Sequence, residues 1–112
     1  MTRQRVPPLS WLRVFEAAAR YESFVAAARE LSLSRTAVSR TIKQLEQYLQ
    51  ITLFVRNARG VRLTQIGRDY SSAIRPALED IVRASAHILK HMSADTRLFA
   101  QAELDQANPS TR

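Results

Sequence analysis

The spacing of apolar residues predicts three helices in the first half of the chain. The first covers about residues 10–20, with Ser10 as its N-cap. The second is short and rich in alanine, from 24 to 31, and Ser23 stands at its N-cap position. The third follows an N-cap at Ser34 and runs from 35 to about 49. Its buried side is predicted to consist of Val38, Ile42, Leu45 and Leu49.

After this third helix the spacing changes from helical to alternating. Segments 51–55 and 61–63 alternate on either side of a turn, which predicts a short hairpin. A long helical pattern then begins at Thr64 and persists to about residue 92, with Pro76 inside it predicting a bend or local irregularity. Its apolar face recurs at alternating steps of four and three, at Ile74, Leu78, Ile81, Ser85, Ile88 and Met92.

This repeat of four and three is typical of a coiled-coil seam. A helix of about 28 residues would extend about 42 Å at 1.5 Å per residue, farther than one small core can cover. A partner helix is therefore predicted, and a dimer with it. The alternative is that the seam packs on the chain's own first helices.

Two short helices joined by a tight polar turn, the second longer and basic at its start, are typical of a helix-turn-helix. The hairpin adds a wing. The predicted fold class is mainly α, a winged helix-turn-helix of three helices plus a two-stranded wing, followed by a long dimerisation helix. The predicted organisation is a DNA-binding domain at 1–63, a linker and dimerisation helix at 64–92, and a polar tail at 93–112 that is partly helical or disordered.

Charge is distributed unevenly along the chain. Residues 1–68 contain 12 Lys and Arg against 4 Asp and Glu, whereas residues 69–112 contain 5 against 6. A basic segment of this kind is expected of a protein that binds the phosphate backbone of nucleic acid. A merely solvated basic surface is the alternative, so the pattern of side chains has to decide between the two.

The start of the third helix supplies that pattern, because in a helix-turn-helix these residues reach base edges in the major groove. All exposed side chains predicted there carry hydrogen-bond donors: Ser34, Arg35, Thr36, Ser39 and Arg40. Most of them share one face, opposite Val38 and Ile42. A solvated helix would more often mix Glu with Lys, whereas the first acidic residue here is Glu46. The pattern favours contact with DNA bases.

Three arginines, Arg56, Arg59 and Arg62, lie on the predicted wing. An arginine on such a hairpin can enter a minor groove or bind phosphates. Arginine at a hairpin tip is also common on soluble proteins, so only the adjacent helix-turn-helix favours DNA contact.

Four segments in order resemble the LysR-type regulators: 23–28 (SFVAAA), 37–46 (AVSRTIKQLE), 53–56 (LFVR) and 62–67 (RLTQIG). The resemblance spans roughly residues 7–92, and the opening segment looks most like the branch of glycine-cleavage and β-lactamase activators. It implies a sequence-specific DNA-binding transcription regulator that works as a dimer.

The resemblance also implies roles for individual residues, with which the pattern of donors agrees. Major-groove base contacts are expected from Arg35, Thr36, Ser39 and Arg40. The DNA backbone or the minor groove is expected to meet Ser23, Ser34, Lys43, Arg56, Arg59 and Arg62, with Arg56 in the minor groove. Dimer contacts are expected, from the four-three spacing of the apolar face, at Ile74, Leu78, Ile81, Ile88 and Met92. An arginine fork suits the O6 and N7 atoms of guanine.

Several function classes are disfavoured. The chain has no cysteine, which removes disulfides, thiolate metal clusters and cysteine nucleophiles and is compatible with the cytoplasm. His87 and His91 lie four apart, a spacing able to bind a metal, but no carboxylate follows them as in zincins. Glu79 and Asp80 are adjacent and diverge around a helix, which disfavours paired acid-base chemistry. No enzyme activity, metal or cofactor is predicted.

The expected partners are double-stranded DNA and a second copy of the chain through the linker helix, with no membrane. Members of the family continue into a two-lobed domain that binds a small-molecule co-inducer. No segment here is predicted to form that domain, so no co-inducer site is expected in this chain. The alternative function is a truncated regulator that heterodimerises with a full-length relative.

Overall fold

The computed structural model describes residues 5–92 and 101–104. Its elements are, in order, α1 (Leu9–Tyr21), α2 (Phe24–Leu31), α3 (Arg35–Leu49), β1 (Phe54–Asn57), β2 (Gly60–Leu63) and α4 (Gln65–His91). The strands form one antiparallel sheet, so the prediction of a mainly helical chain with a two-stranded wing is confirmed. Residues 101–104 are also helical, whereas the rest of the predicted tail, 93–100 and 105–112, lies outside the described residues.

Two of the three predicted N-caps are confirmed. The Oγ of Ser23 accepts a hydrogen bond from the backbone N–H of Ala26, and the Oγ of Ser34 accepts one from Ala37, both at 3.0 Å. The third was wrong, because α1 begins one residue before Ser10. Pro8 occupies the cap position, and its carbonyl accepts the first backbone hydrogen bonds of the helix. Since proline pre-sets the backbone torsion φ, no side-chain cap is needed to start this helix.

Each of the first three helices ends at a residue with left-handed backbone torsions: Glu22, Ser32 and Gln50. The backbone N–H of each of these cap residues donates a hydrogen bond to one or two carbonyl oxygens in the last turn of its helix. Such a stop satisfies carbonyls that the helix leaves free and redirects the chain within one residue. The three sharp corners allow α1, α2 and α3 to pack around one core.

The core consists of apolar residues from α1, α2, α3 and the segment that enters the wing. Its largest fully buried side chains are Phe15, Val38, Ile42, Leu45 and Leu53. Small alanines on α1 and α2 are buried as well, which allows close helix packing: Ala17, Ala18, Ala19, Ala27 and Ala28. Of the predicted stripe on α3, only Leu49 is half-buried, at the edge of the core.

The wing is shorter than predicted at its first strand. We expected a strand over 51–55, but β1 begins at Phe54, which pairs with Leu63. The backbone of Leu53 is used elsewhere, since its N–H donates to the Glu46 carboxylate and its carbonyl accepts from Thr64. The Leu53 side chain is fully buried in the core. The alternating pattern therefore indicates burial here rather than strand pairing.

Packing divides the chain into two compact units, Met1–Leu78 and Glu79–Arg112, and α4 contributes residues to both. The helix continues through Pro76. In the first unit Tyr70 and Ile74 pack against the core. Ile74, a predicted seam residue, is half-buried and packs against the core of its own domain, and its contact with a partner helix stays a prediction.

In the second unit the helical residues 79–91 are all exposed. They include the predicted seam residues Ile81 and Ile88, of which 47% and 56% of the surface is accessible. Leu78, at the end of the first unit, is half-buried. None of the described helices is long and apolar enough to cross a membrane.

Candidate nucleic-acid interface

One face of α3 forms a shallow groove with polar and cationic walls. Its lining residues are Arg35, Thr36, Ser39, Arg40, Lys43, Gln44 and Gln47. The structure thus brings together all four residues predicted to contact bases and one predicted to contact the backbone. Gln44 and Gln47 were not predicted, although their spacing from Arg40 and Lys43 places them on the same helix face.

The groove side chains point outward because the opposite face of α3 is anchored in the core. Val38, Ile42 and Leu45 are completely buried, which fixes the rotation of the helix. Arg40 and Lys43 are exposed on the other side. Within the described ranges no ion pair involves any cation of this groove. The face is therefore a concentration of uncompensated positive charge with hydrogen-bond donors between the cations.

Arg56 on the wing reaches this face. Its guanidinium donates a 2.9 Å hydrogen bond to the Oγ of Ser39 and lies over the ring of Phe24, 5.1 Å from the ring centroid. A cation over an aromatic face and a charged hydrogen bond both restrain the long side chain. The predicted minor-groove residue is thus held beside a predicted major-groove residue.

The other predicted backbone contacts are distributed around this face. Ser23 and Ser34 hold the first turns of α2 and α3 with their hydroxyl oxygens. Arg59 lies in the turn of the wing, where its backbone N–H donates to the side chain of Asn57. Arg62 is exposed on β2. The structure gives neither wing arginine a side-chain partner among the described residues.

Two carboxylates hold the wing in place, and neither was identified from the sequence. Glu46 on α3 accepts from the backbone N–H groups of Leu53 and Phe54, at 2.7 and 3.2 Å. Glu22 accepts from the N–H of Leu63 at 2.9 Å, across 41 positions of sequence. Hydrogen bonds from an amide to a charged acceptor are among the stronger ones. The wing is fastened at the root of both strands.

A cluster of charges joins α1, α2 and the first half of α4. Arg20 donates to the carboxylates of Glu16 and Glu30, Tyr21 donates to Glu30 at 2.6 Å, and Arg75 pairs with Glu16 at 3.4 Å. The hydrogen bonds from Arg20 and Tyr21 lower the pKa of Glu30 to about 2. The hydrogen bond from Arg20 also lowers the pKa of Glu16.

These contacts account for every acidic residue in the basic part of the chain. Residues 1–68 contain only four: Glu16, Glu22, Glu30 and Glu46. Two are paired within the Arg20 cluster and two hold backbone N–H groups of the wing. None of the four lines the α3 groove. The acidic side chains thus have structural partners, while the cations of the groove are left available for an external anion.

Residues 9–68, more than half of the chain, match the family described as bacterial regulatory helix-turn-helix protein, lysR family. The chain belongs to the LysR family. Its helix-turn-helix is thus formed by α2 and α3, and the hairpin is the wing.

Curated relatives of this LysR-family chain are regulators. It is 44% identical over 86 residues to a glycine cleavage system transcriptional activator homolog of Haemophilus influenzae, covering 77% of this chain and 29% of that protein. It is 48% identical over 80 residues to the HTH-type transcriptional activator AmpR of Citrobacter freundii, covering 71% and 26%. The chain thus spans less than a third of the length of these relatives. The predicted resemblance to the branch of glycine-cleavage and β-lactamase activators is confirmed, since a carbapenem-hydrolyzing β-lactamase transcriptional activator of Enterobacter cloacae is 46% identical over 72 residues.

Solved structures of this LysR-family fold include a complex with DNA. The chain matches the BenM_DBD/catB site 1 DNA complex with a TM-score of 0.70 and 28% identity, over 75% of this chain and 94% of that one. The predicted winged helix-turn-helix is therefore confirmed as the fold.

Proposed function

We propose that this chain is a DNA-binding transcription regulator that recognises a specific duplex sequence with α3 in the major groove. The observation that carries the proposal is the α3 face, where cations and hydroxyls lie together and every nearby acid is engaged elsewhere. Membership of the LysR family and similarity to a domain solved with DNA support it. The proposal is a binding function without catalysis, in the cytoplasm.

Base recognition is assigned to Arg35, Thr36, Ser39 and Arg40. The guanidinium forks of Arg35 and Arg40 suit the O6 and N7 acceptors of guanine, and each good bidentate pair discriminates between bases by about 1–3 kcal/mol. The hydroxyls of Thr36 and Ser39 suit either a base edge or a phosphate. Lys43 then meets the DNA backbone farther along the helix.

The hydrogen bond between Arg56 and Ser39 suggests how the wing takes part. In the free protein the Arg56 guanidinium donates a hydrogen bond of 2.9 Å to the Oγ of Ser39. When DNA binds, the guanidinium of Arg56 leaves the Oγ of Ser39 and enters the minor groove, whose negative potential attracts arginine. The exchange also releases the Ser39 hydroxyl toward the major groove. Arg59 and Arg62 bind phosphates beside the wing.

Further backbone contacts come from the N-termini of α2 and α3. The partial positive charge at a helix N-terminus and its free N–H groups attract a phosphate. Ser23 and Ser34 each keep a hydroxyl proton to donate while the oxygen caps its helix. Such contacts position the domain without selecting a sequence.

We propose that the apolar seam of α4 pairs two copies of the chain. The seam residues are Leu78, Ile81, Ile88 and Met92, without Ile74, which packs on its own core. Exposed isoleucines at a spacing of seven are typical of a two-helix interface. We also propose that the DNA-binding domain ends at residue 63 and that the dimerisation helix ends at residue 92.

Pairing with a longer LysR-family relative is the second candidate function. It is favoured by the exposed seam together with an identity of 44–49% to regulators about three times as long. Co-expression with such a relative, followed by co-purification through one tagged chain, separates the two. If mixed dimers form and no homodimer is found, pairing with a relative replaces the proposed pairing of two identical copies.

The decisive experiment measures DNA recognition by a variant of the α3 face. A preferred site is selected from a random duplex pool with the unaltered chain, at fixed salt because phosphate contacts depend on it. Arg40→Ala is expected to lower the preference for this site over a scrambled duplex by about 1–3 kcal/mol. Arg13→Ala removes an exposed arginine of α1 outside the groove and is the matched control. An unchanged preference in Arg40→Ala excludes a base-reading role.

The seam is tested separately. Ile81→Glu places a charge in the interface, so monomers and weaker binding to a two-fold site are expected. Ala86→Glu introduces the same single negative charge at an exposed position off the seam and controls for electrostatic effects. Sedimentation that shows an unaltered dimer for Ile81→Glu would remove this seam from the proposal.

A further inference from the structure

The second unit carries a pair of histidines that DNA recognition does not use. His87 and His91 are one turn apart at the end of α4, and both side chains are exposed. Their ring centroids are 4.4 Å apart, with 49° between the ring planes. Two imidazoles at positions i and i+4 present nitrogen donors on one helix face. Neutral imidazole is the commonest side-chain ligand of transition metals.

The two rings are close enough for one ion to reach both. A metal about 2.0–2.1 Å from an imidazole nitrogen lies about 3.2 Å from the ring centroid, so two rings that share one ion have centroids at most about 6.4 Å apart. The observed separation of 4.4 Å is within this limit. Imidazole nitrogens are suitable ligands for Zn²⁺, Cu²⁺ and Ni²⁺.

We propose that His87 and His91 form a two-ligand site for a divalent transition metal ion, bound through one nitrogen of each ring, with water in the remaining positions. No cluster of three or more metal-binding side chains occurs among the described residues, so this is an open site rather than a closed structural one. The nearest preceding carboxylate on α4, that of Asp80, is paired with Arg83.

The bound ion links two successive turns of α4. It closes a ring between His87 and His91 at the end of the helix, where hydrogen bonds otherwise fray first. The metal thus stabilises the last turns of α4. This effect stays within one chain and depends on neither DNA binding nor pairing of copies.

The test titrates the full chain with Ni²⁺ by calorimetry at neutral pH. One ion per chain is expected, and His87→Ala or His91→Ala is expected to weaken binding by more than about tenfold, since loss of even a supporting group costs that much.

The matched control moves one histidine while keeping two. His91→Ala combined with Leu89→His puts the rings two residues apart, on different faces of the helix. This variant is expected to bind as weakly as His91→Ala alone. Equal binding by the control and the unaltered chain would overturn the proposal, because the ion would then need only two histidines in any arrangement.

Amide hydrogen exchange gives a second measurement. Saturating Ni²⁺ is expected to slow exchange in residues 84–91 of the unaltered chain and in Ile81→Glu, but not in the control with displaced histidines. Retained binding by Ile81→Glu separates the metal site from the proposed dimer. Exchange that is unchanged by Ni²⁺ in the unaltered chain would show that the ion does not link the two turns.

Discussion

The two units of this chain contrast within a single helix. From Gln65 to Leu78, α4 has a buried side, with Gly67 and Ser71 inside and Tyr70 and Ile74 against the core. From residue 79 to 91 the same helix carries apolar residues with no buried one among them. The first unit thus contains the hydrophobic core, whereas the described helical residues of the second unit leave large apolar side chains exposed, including Ile81, Val82 and Ile88.

The most direct test of this contrast replaces isoleucine by alanine once in the core of the first unit and once on the exposed part of α4. Ile42→Ala removes a fully buried side chain and is expected to lower the free energy of unfolding by about 2–5 kcal/mol. Ile81→Ala is expected to change it by less than about 0.5 kcal/mol in dilute monomer. Urea denaturation at low protein concentration measures both. Equal losses would mean that Ile81 is covered within its own chain.

The close approach of α4 to the segment before the wing gives the next largest effect. A Cβ at Gly67 would lie 2.3 Å from the backbone oxygen of Leu53, which cannot move like a side chain. Gly67→Ala is therefore expected to destabilise the first unit by about 1–3 kcal/mol. Ser72→Ala, at an exposed position of the same helix, is expected to be neutral or stabilising. Thermal unfolding that ranks the two variants equally would contradict this packing.

Cap variants sharpen the description of the first unit. Ser23→Ala and Ser34→Ala are each expected to cost about 1 kcal/mol, because each removes the acceptor for a backbone N–H. Ser10→Ala is expected to cost nothing, since α1 starts before Ser10 and its cap is Pro8. Equilibrium denaturation of the three single variants compares them, and a loss in Ser10→Ala would restore the cap that we predicted from the sequence.

The smallest expected effect is on the stability of the folded protein at acidic pH. The pKa of Glu30 is lowered from 4.5 to about 2, so its interactions stabilise the folded state fully above 4.5. This contribution is lost as the pH falls from 4.5 toward 2, because the proton binds the unfolded chain first. Glu30→Gln lacks this contribution, so its stability is expected to fall less steeply over that interval. Parallel stability curves for the two proteins between these pH values would contradict the Arg20 cluster.

The order of helices and the groove on α3 could be predicted because both depend on local patterns. Apolar spacing sets which side of α3 is buried, and this fixes where Arg35 and Arg40 point. The contacts of Glu22 and Glu46 could not be predicted, since a carboxylate that accepts from distant backbone N–H groups leaves no periodic signal. The start of β1 was misplaced for the same reason, because Glu46 takes the N–H of Leu53.

The apolar face of α4 shows a second limit of sequence patterns. The repeat of four and three is continuous from Ile74 to Met92, yet Ile74 packs on its own core and Ile81 does not. Periodicity shows which face of a helix is apolar, but not which neighbour covers each turn. That depends on where the core ends, which only the packed structure reveals.

Glu22 has two tasks, and together they limit redesign. It is the residue at which α1 stops, and its carboxylate also holds the N–H of Leu63. Adding one residue to α1 would rotate this carboxylate by about 100° around the helix axis and detach the second strand. Redesign of the turn between Asn57 and Gly60 therefore leaves this contact in place, whereas a change in the length of the first helix removes it.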